Sequence, residues 1–224
     1  MSIGRLEVLS GGDTPLHPDE ALAEAEHRIA NSLAMVAALV RSQARGLPQV
    51  DTISTADVRM LLAGICARIA AVGRLHRLLM SRGGCSTVEL SDYLAEVASA
   101  VCTAFTDGSV VAVATDLRAK PLISIRDAEA VGLVVSEALI NALKHAAGAK
   151  LGLALRWGER GSLVVEVADT GPGFPADWNR RDSARKNGGI ALMRAVATEL
   201  KAALIFDQSA GGLCVRLTLP APHD

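Results

Sequence analysis

Three short stretches of this chain place chemically useful side chains at spacings that random packing would not favour. The first is Val135–Ala146, V-S-E-A-L-I-N-A-L-K-H-A. Glu137, Asn141 and Lys144 are spaced by four and three, so on a helix they share one face. Leu139, Ile140 and Leu143 form the opposite, core-facing side. An acid, an amide and a cation in register on an otherwise apolar helix are costly unless they face a ligand. Asn and Glu oxygens suit Mg²⁺ or its waters, and a lysine suits phosphate. The plain alternative is a surface edge with an incidental ion pair. The second stretch is Asp169-Thr170-Gly171-Pro172-Gly173-Phe174, directly after a strand-like run, Leu163–Ala168. An aspartate leaving a strand can accept a hydrogen bond from an exocyclic amine, and two glycines let backbone approach a flat ring or phosphates. A tight turn after a strand is the alternative. The third is Asn187-Gly188-Gly189-Ile190, ahead of a helical pattern, where amide donors and the positive helix end could hold a phosphate. Arg180, Arg181, Arg185 and Lys186 lie between the second and third stretches, as a charge-screening lid or a solvated loop.

A fourth candidate stands apart, in E-A-E-H-R-I-A-N-S-L (Glu24–Leu33). Leu22, Ile29, Leu33, Val36 and Val40 make one buried helical stripe. His27 falls opposite that stripe, with Asn31 one turn above it on the same exposed face. A neutral imidazole on a rigid helix is a good nucleophile near physiological pH. A solvated surface histidine is the bland alternative.

The elements that must position these residues divide the chain in two. Residues 1–18 lack sustained periodicity and read as a loose tail. A first helix is expected from near Asp19 to about Arg45, stopped by Gly46 and Pro48. A second follows a cap at Ser54, Thr55 or Asp57 and ends at Gly83-Gly84. It carries Val58, Leu61, Leu62, Ile65, Ile69, Val72, Leu75 and Leu79. Residues 19–84 are therefore a helical hairpin, and a lone hairpin cannot cover both apolar stripes. A homodimer completing a four-helix bundle is expected.

From residue 87 to 220 the pattern is mixed. Val88–Ala104, Asp127–Ala146 and Ile190–Leu200 read as helices. Ser109–Thr115, Leu151–Trp157, Leu163–Ala168, Ala203–Phe206 and Leu213–Leu219 read as strands, three of them with clear period-two alternation. The fold class is α+β: a two-helix hairpin followed by an α/β sandwich with a mixed sheet and helices on one face.

Composition narrows the function. Apolar residues make up 50% and aromatics only 3%, so Ala, Leu and Val must build the cores. A net charge of −1 offers no basic surplus for nucleic acid. Mean hydropathy is +0.30, yet no uninterrupted run is long enough to span a membrane. No signal peptide is legible, and the four scattered cysteines fit reduced thiols in the cytoplasm.

The order of the stretches resembles a known family. A helix with E-x-x-x-N-x-x-K-H, then D-x-G-x-G, then a glycine pair opening a helix, is similar to the nucleotide-binding fold of histidine kinases, gyrase-type ATPases and heat-shock chaperones of that fold. H-R-x-x-N-S-L at the head of a long helix resembles the phosphoacceptor hairpin of the histidine kinase subgroup marked by H-R-x-x-N, related to the HWE kinases. The junction Gly73–Leu94 resembles that subgroup too, and the likeness covers about residues 20–220. It implies ATP and Mg²⁺ as cofactors, with His27 phosphorylated and Arg28 and Asn31 supporting it. By the same resemblance Asn141 would hold Mg²⁺, Glu137 would assist through a metal-bound water, and Lys144 and His145 would face the phosphates. Asp169 would read the adenine amine above Gly171 and Gly173, while Gly188 and Gly189 would line the triphosphate. Asn187 stands where the family has its first glycine, and Ala30 where a basic residue is common.

The function implied is a soluble histidine kinase that passes phosphate from His27 to an aspartate of a response-regulator receiver, with an upstream sensor protein as a further partner. A phosphotransfer relay without ATP turnover is the alternative, which the motifs Asn141, Asp169, Gly171 and Gly173 oppose. A serine kinase acting on a sigma-factor regulator ranks last, because it needs no hairpin with an exposed histidine.

Overall fold

Alternation of apolar and polar residues along three strands generates one covered and one open sheet face. The computed structural model describes residues 87–105, 112–146, 148–174, 188–209 and 211–221, with isolated residues and one short run between Ala34 and Gly73. In the C-terminal part the order is β1 (Thr87–Glu89), α1 (Leu90–Phe105), β2 (Val113–Leu117), β3 (Leu122–Ser124), α2 (Ile125–His145), β4 (Leu151–Trp157), β5 (Leu163–Asp169), α3 (Gly188–Glu199), β6 (Ala203–Ser209) and β7 (Gly212–Leu219). Five strands form a mixed sheet in the order β2-β4-β5-β7-β6. Only β2 and β4 run parallel; the other neighbours are antiparallel.

Leu151, Leu153 and Leu155 of β4, Leu163, Val165 and Val167 of β5, and Val215, Leu217 and Leu219 of β7 are buried together with the helices. The intervening residues face outward, where Glu166 pairs with both Arg156 and Arg216 across three strands. The expected α+β architecture with a mixed sheet and one helical face is therefore what the chain adopts.

The helix α2 holds the centre of this layer and packs against both α1 and α3. Its start is set by Ser124, whose Oγ accepts from the Asp127 amide at 3.1 Å, and Asp127 lies in the positive first turn. At its far end Lys144 and His145 occupy the negative last turn. The start is two residues earlier than periodicity predicts, because the cap rather than the first charged residue fixes it.

Two other boundaries differ from expectation. Thr87–Glu89 is a strand, not the start of a helix, and it pairs with β3 to form a separate two-stranded sheet. Leu90 N donates to Pro121 O at 3.0 Å, tying the starts of α1 and α2 together. Three-residue strands have too few positions to show a period, which is why neither is legible in advance. Of the strand expected at Ser109–Thr115, the described part begins at Val113 and runs on to Leu117, and residues 109–111 lie outside the described residues.

In the N-terminal half, Ala34, Ala37, Val40 and Arg41 are helical, as are Thr55, Val58, Arg59, residues 61–66, Ile69, Ala70 and Gly73. Val58 N donates to Ser54 O at 3.1 Å, which opens the second helix at Ser54. The loop around Gly46–Pro48, the end at Gly83-Gly84 and the packing of the hairpin lie outside the described residues.

Tight packing between α1 and α2 centres on Tyr93, buried against Gly132; burial, with Glu129 and Glu96 nearby, pushes its phenol far above the ordinary value. A Cβ at position 132 would come within 2.5 Å of the Tyr93 hydroxyl oxygen. Replacing a mid-helix glycine with alanine normally gains about 1 kcal/mol, but overpacking a rigid buried ring costs about 1–3 kcal/mol. Gly132→Ala is therefore expected to destabilise the fold by about 1 kcal/mol, read as a lower urea midpoint at unchanged slope. A higher midpoint would show that Tyr93 gives way.

Candidate functional site

At one end of the sandwich the last turn of α2, the exit of β5, the start of α3 and the strands β6 and β7 converge. They enclose a cavity of about 340 Å³, within the roughly 300–1,000 Å³ usual for small-molecule pockets. Asn141 and His145 line it from α2 and Ala146 from its C-cap, Asp169 from the end of β5, Pro172, Gly173 and Phe174 from the loop that follows, and Ile190 from α3. Phe206, Leu213 and Val215 supply the sheet wall. Phe174 and Phe206 meet edge to face, with centroids 6.1 Å apart, and the Arg194 guanidinium lies 5.9 Å from the Phe206 ring centre. The walls are mainly apolar with a few polar groups, which suits a flat ring carrying polar substituents.

Asp169 is the last residue of β5 and pairs with Leu151. Its Oδ1 accepts from the Gly171 amide at 2.8 Å, whereas no described residue donates to Oδ2. One oxygen is thus held by its own turn. Thr170 extends the pairing by one step: its amide donates to Lys150 O at 3.2 Å, and its Oγ1 accepts from Lys150 N at 2.9 Å. Gly171 lies against α2, where a Cβ would come within 2.2 Å of the Ala146 Cβ. Gly173 has φ of 71° and rests on Gln208, whose Nε2 donates to Phe174 O at 3.1 Å. The two glycines of D-x-G-x-G therefore have separate duties, close approach at Gly171 and a left-handed turn at Gly173.

Glu137 is 1% exposed, and its carboxylate lies under the first turn of α3. A Cβ on Gly189 would stand 2.6 Å from Glu137 Oε2 and 3.8 Å from Asn141 Nδ2. A buried carboxylate is favoured at the positive end of a helix, so the packing joins two stretches separated by about fifty residues in sequence. Gly188 is the first residue of α3. Lys144 is half-buried and His145 exposed. Desolvation, with Lys144 beside it, lowers the His145 pKa below the ordinary imidazole value.

Among the residues singled out from sequence, the fold brings Asn141, His145, Asp169 and Gly173 into one pocket, with Glu137, Gly171 and Gly189 immediately behind its walls. Lys144 is not among the wall residues. His27, Arg28 and Asn31 lie outside the described residues, as do Asn187 and the cations Arg180, Arg181, Arg185 and Lys186. Sequence reasoning missed Ile190, Phe206, Leu213 and Val215 as pocket walls. Their only signal was apolar character at strand and helix positions, which is shared with every core residue.

A mixed sheet covered on one face by helices, with a pocket between D-x-G-x-G and a glycine-opened helix, defines an ATPase-type α/β sandwich. Comparison with known proteins makes the assignment specific. Residues 24–105 match the family described as histidine kinase, and residues 103–219 match the histidine kinase-like ATPase domain. The chain belongs to the histidine kinase family. It is 30% identical over 217 residues to blue-light-activated histidine kinase 2 of Erythrobacter litoralis, covering 90% of this chain and 57% of that protein. It is also 30% identical over 216 residues to the sensor histidine kinase PdtaS of Mycolicibacterium smegmatis, covering 92% of this chain and 40% of that one. Among solved structures, the histidine kinase domain of the Erythrobacter litoralis EL346 blue-light-activated kinase matches with a TM-score of 0.64 at 26% identity, covering 90% of this chain and 94% of that one. The chain thus spans about half the length of the curated relatives it matches. No helix among the described residues is long and apolar enough to cross a membrane. The first family match runs through α1 to residue 105, whereas in the structure α1 packs into the core of the sandwich.

The lowered His145 pKa carries a consequence for stability. Because the folded value lies below the unfolded one, the unfolded chain binds more protons as pH falls below about 6.5. Stability from this residue is full above that value and declines towards the lower folded value. Between pH 7.5 and 5.5, wild type is expected to lose more stability in urea melts than His145→Gln. Equal losses would remove His145 as a contributor.

Proposed function

We propose that this chain is a histidine kinase whose sandwich domain, residues 87–220, binds Mg-ATP and whose hairpin, residues 19–84, presents His27 as phosphoacceptor. The observation that carries the reading is the Asp169 carboxylate, with one oxygen fixed by Gly171 and the other open to an apolar pocket of adenine size. Asp169 would accept from the exocyclic amine of adenine, which packs along Gly173 and the phenylalanine wall. Asn141 and Glu137 offer oxygens beside the start of α3. Mg²⁺ is usually held by one or two protein groups together with phosphates. That suits a site where the described residues form no cluster of three or more acidic, histidine or cysteine ligands. His145, Lys144 and the Gly188–Gly189 amides would face phosphate.

When bound, ATP would supply the phosphoryl group. His27, supported by Arg28 and Asn31, would attack the terminal phosphorus as the bond to the leaving ADP oxygen breaks. Positioning and charge neutralisation supply most of the rate in such transfers. A receiver aspartate would then take the phosphoryl group from His27. Val58, Leu62 and Ile69, spaced along one stripe of the second helix and 40–54% exposed, support a homodimer through the hairpin. An intact pocket speaks against a relay that has given up ATP.

Incubation with Mg²⁺ and γ-labelled ATP is expected to give an acid-labile, base-stable label. His27→Ala should abolish the label while ATP still binds; a variant labelled as strongly as wild type would mean another acceptor. Asp169→Ala should weaken ATP binding by at least about tenfold, with the thermal midpoint little changed. Full binding in that variant would overturn the placement of adenine.

A further inference from the structure

We propose that Thr170 is a positioning residue for adenine recognition: its grip on Lys150 fixes the orientation in which Asp169 faces the pocket. This rests on the reading of that pocket as a nucleotide site.

Asp169 stands on the last rung of the β4–β5 ladder, and the chain beyond it must leave the sheet within three residues, through Pro172, which has no amide donor. Left to itself, the Asp169–Thr170 peptide would be free to swing with the loop. Thr170 prevents this by engaging both backbone groups of Lys150. Its amide donates to Lys150 O and its hydroxyl oxygen accepts from Lys150 N. The residue before Lys150 is tied to the end of α2, since Ala149 N donates to Ala146 O at 2.9 Å. Gly171 then returns the loop to Ala146 by direct packing. The result is a closed circuit from Ala146 through Lys150 and Thr170 to Gly171, with the Asp169 carboxylate mounted on it. This circuit also sets the distance between Asp169 and the α2 residues on the opposite wall.

Thr170 is exposed, so water can replace the lost hydroxyl and the fold should change little in stability. What changes is the aim of Asp169. An error there penalises the hydrogen bond to an exocyclic amine, while phosphate contacts and ring packing depend on other residues.

The test compares ATP with inosine triphosphate, which carries a carbonyl in place of the amine, by calorimetric titration of the full chain. Thr170→Val is expected to weaken ATP binding by about tenfold, leave inosine triphosphate nearly unchanged and so shrink the preference by the same factor. Thr170→Ser, which keeps the hydroxyl, should retain the wild-type preference. Wild-type preference in Thr170→Val would overturn the proposal, as would equal losses for both nucleotides, which would mean general damage to the pocket. Asp169→Ala serves as the control. If it too keeps the wild-type preference, the adenine reading itself fails and the role of Thr170 falls with it. If it loses the preference while Thr170→Val keeps it, only the role of Thr170 falls.

Discussion

The site depends on one constraint: α2 cannot move without opening the core. Thirteen of its 21 residues are buried, pressed between the sheet, α1 and α3, and its start is pinned by Ser124. A helix fixed on all sides can present polar groups to a ligand only at its free end. Asn141 and His145 are therefore delivered to the pocket with little conformational freedom. The same rigidity lets Glu137 remain buried: its carboxylate is matched to the start of α3, and α3 in turn places Ile190 in the pocket wall. Removal of water on three sides makes each of these polar groups more consequential than it would be on a surface.

The other half of the pocket is built from turns rather than helices. Asp169, Gly171 and Gly173 are held by local hydrogen bonds, by contact with Ala146 and by Gln208 from β6. The close approach of Gly212, whose absent Cβ would lie within 1.8 Å of the Asp169 carbonyl oxygen, presses the β6–β7 turn against the same point. The pocket thus has one rigid wall, the end of α2, and one wall of braced turns, where small adjustments of backbone change its shape.

What was legible in the sequence follows this division. Helical spacing announced α2 and its polar edge, because 3.6-residue periodicity is a local property. Alternation announced β4, β5 and β7 for the same reason. The short strands β1 and β3 were invisible, since their pairing joins Thr87 to Ser124 across 37 residues. Phe206, Leu213 and Val215 could not be told from ordinary core, because only the sheet order brings β6 and β7 to Asp169. The contact of Glu137 with Gly189 was equally hidden: each residue was noticed for phosphate or metal chemistry, and neither stretch hinted that they touch. Similarity to histidine kinases covers the hairpin as well, where the described residues are helical on both sides of the expected break.

The distance along β4 between its two ends has an optical consequence. Leu151 sits beside Asp169, while Trp157 closes the same strand six residues away, roughly 20 Å at strand rise, and is 53% exposed. The chain has two tryptophans. Trp157 therefore stands in water far from the pocket, and its emission should respond little to what occupies it. The other tryptophan, Trp178, follows Phe174 of the pocket wall by four residues in the chain. Replacing Trp157 would leave Trp178 as the chain's single tryptophan emitter.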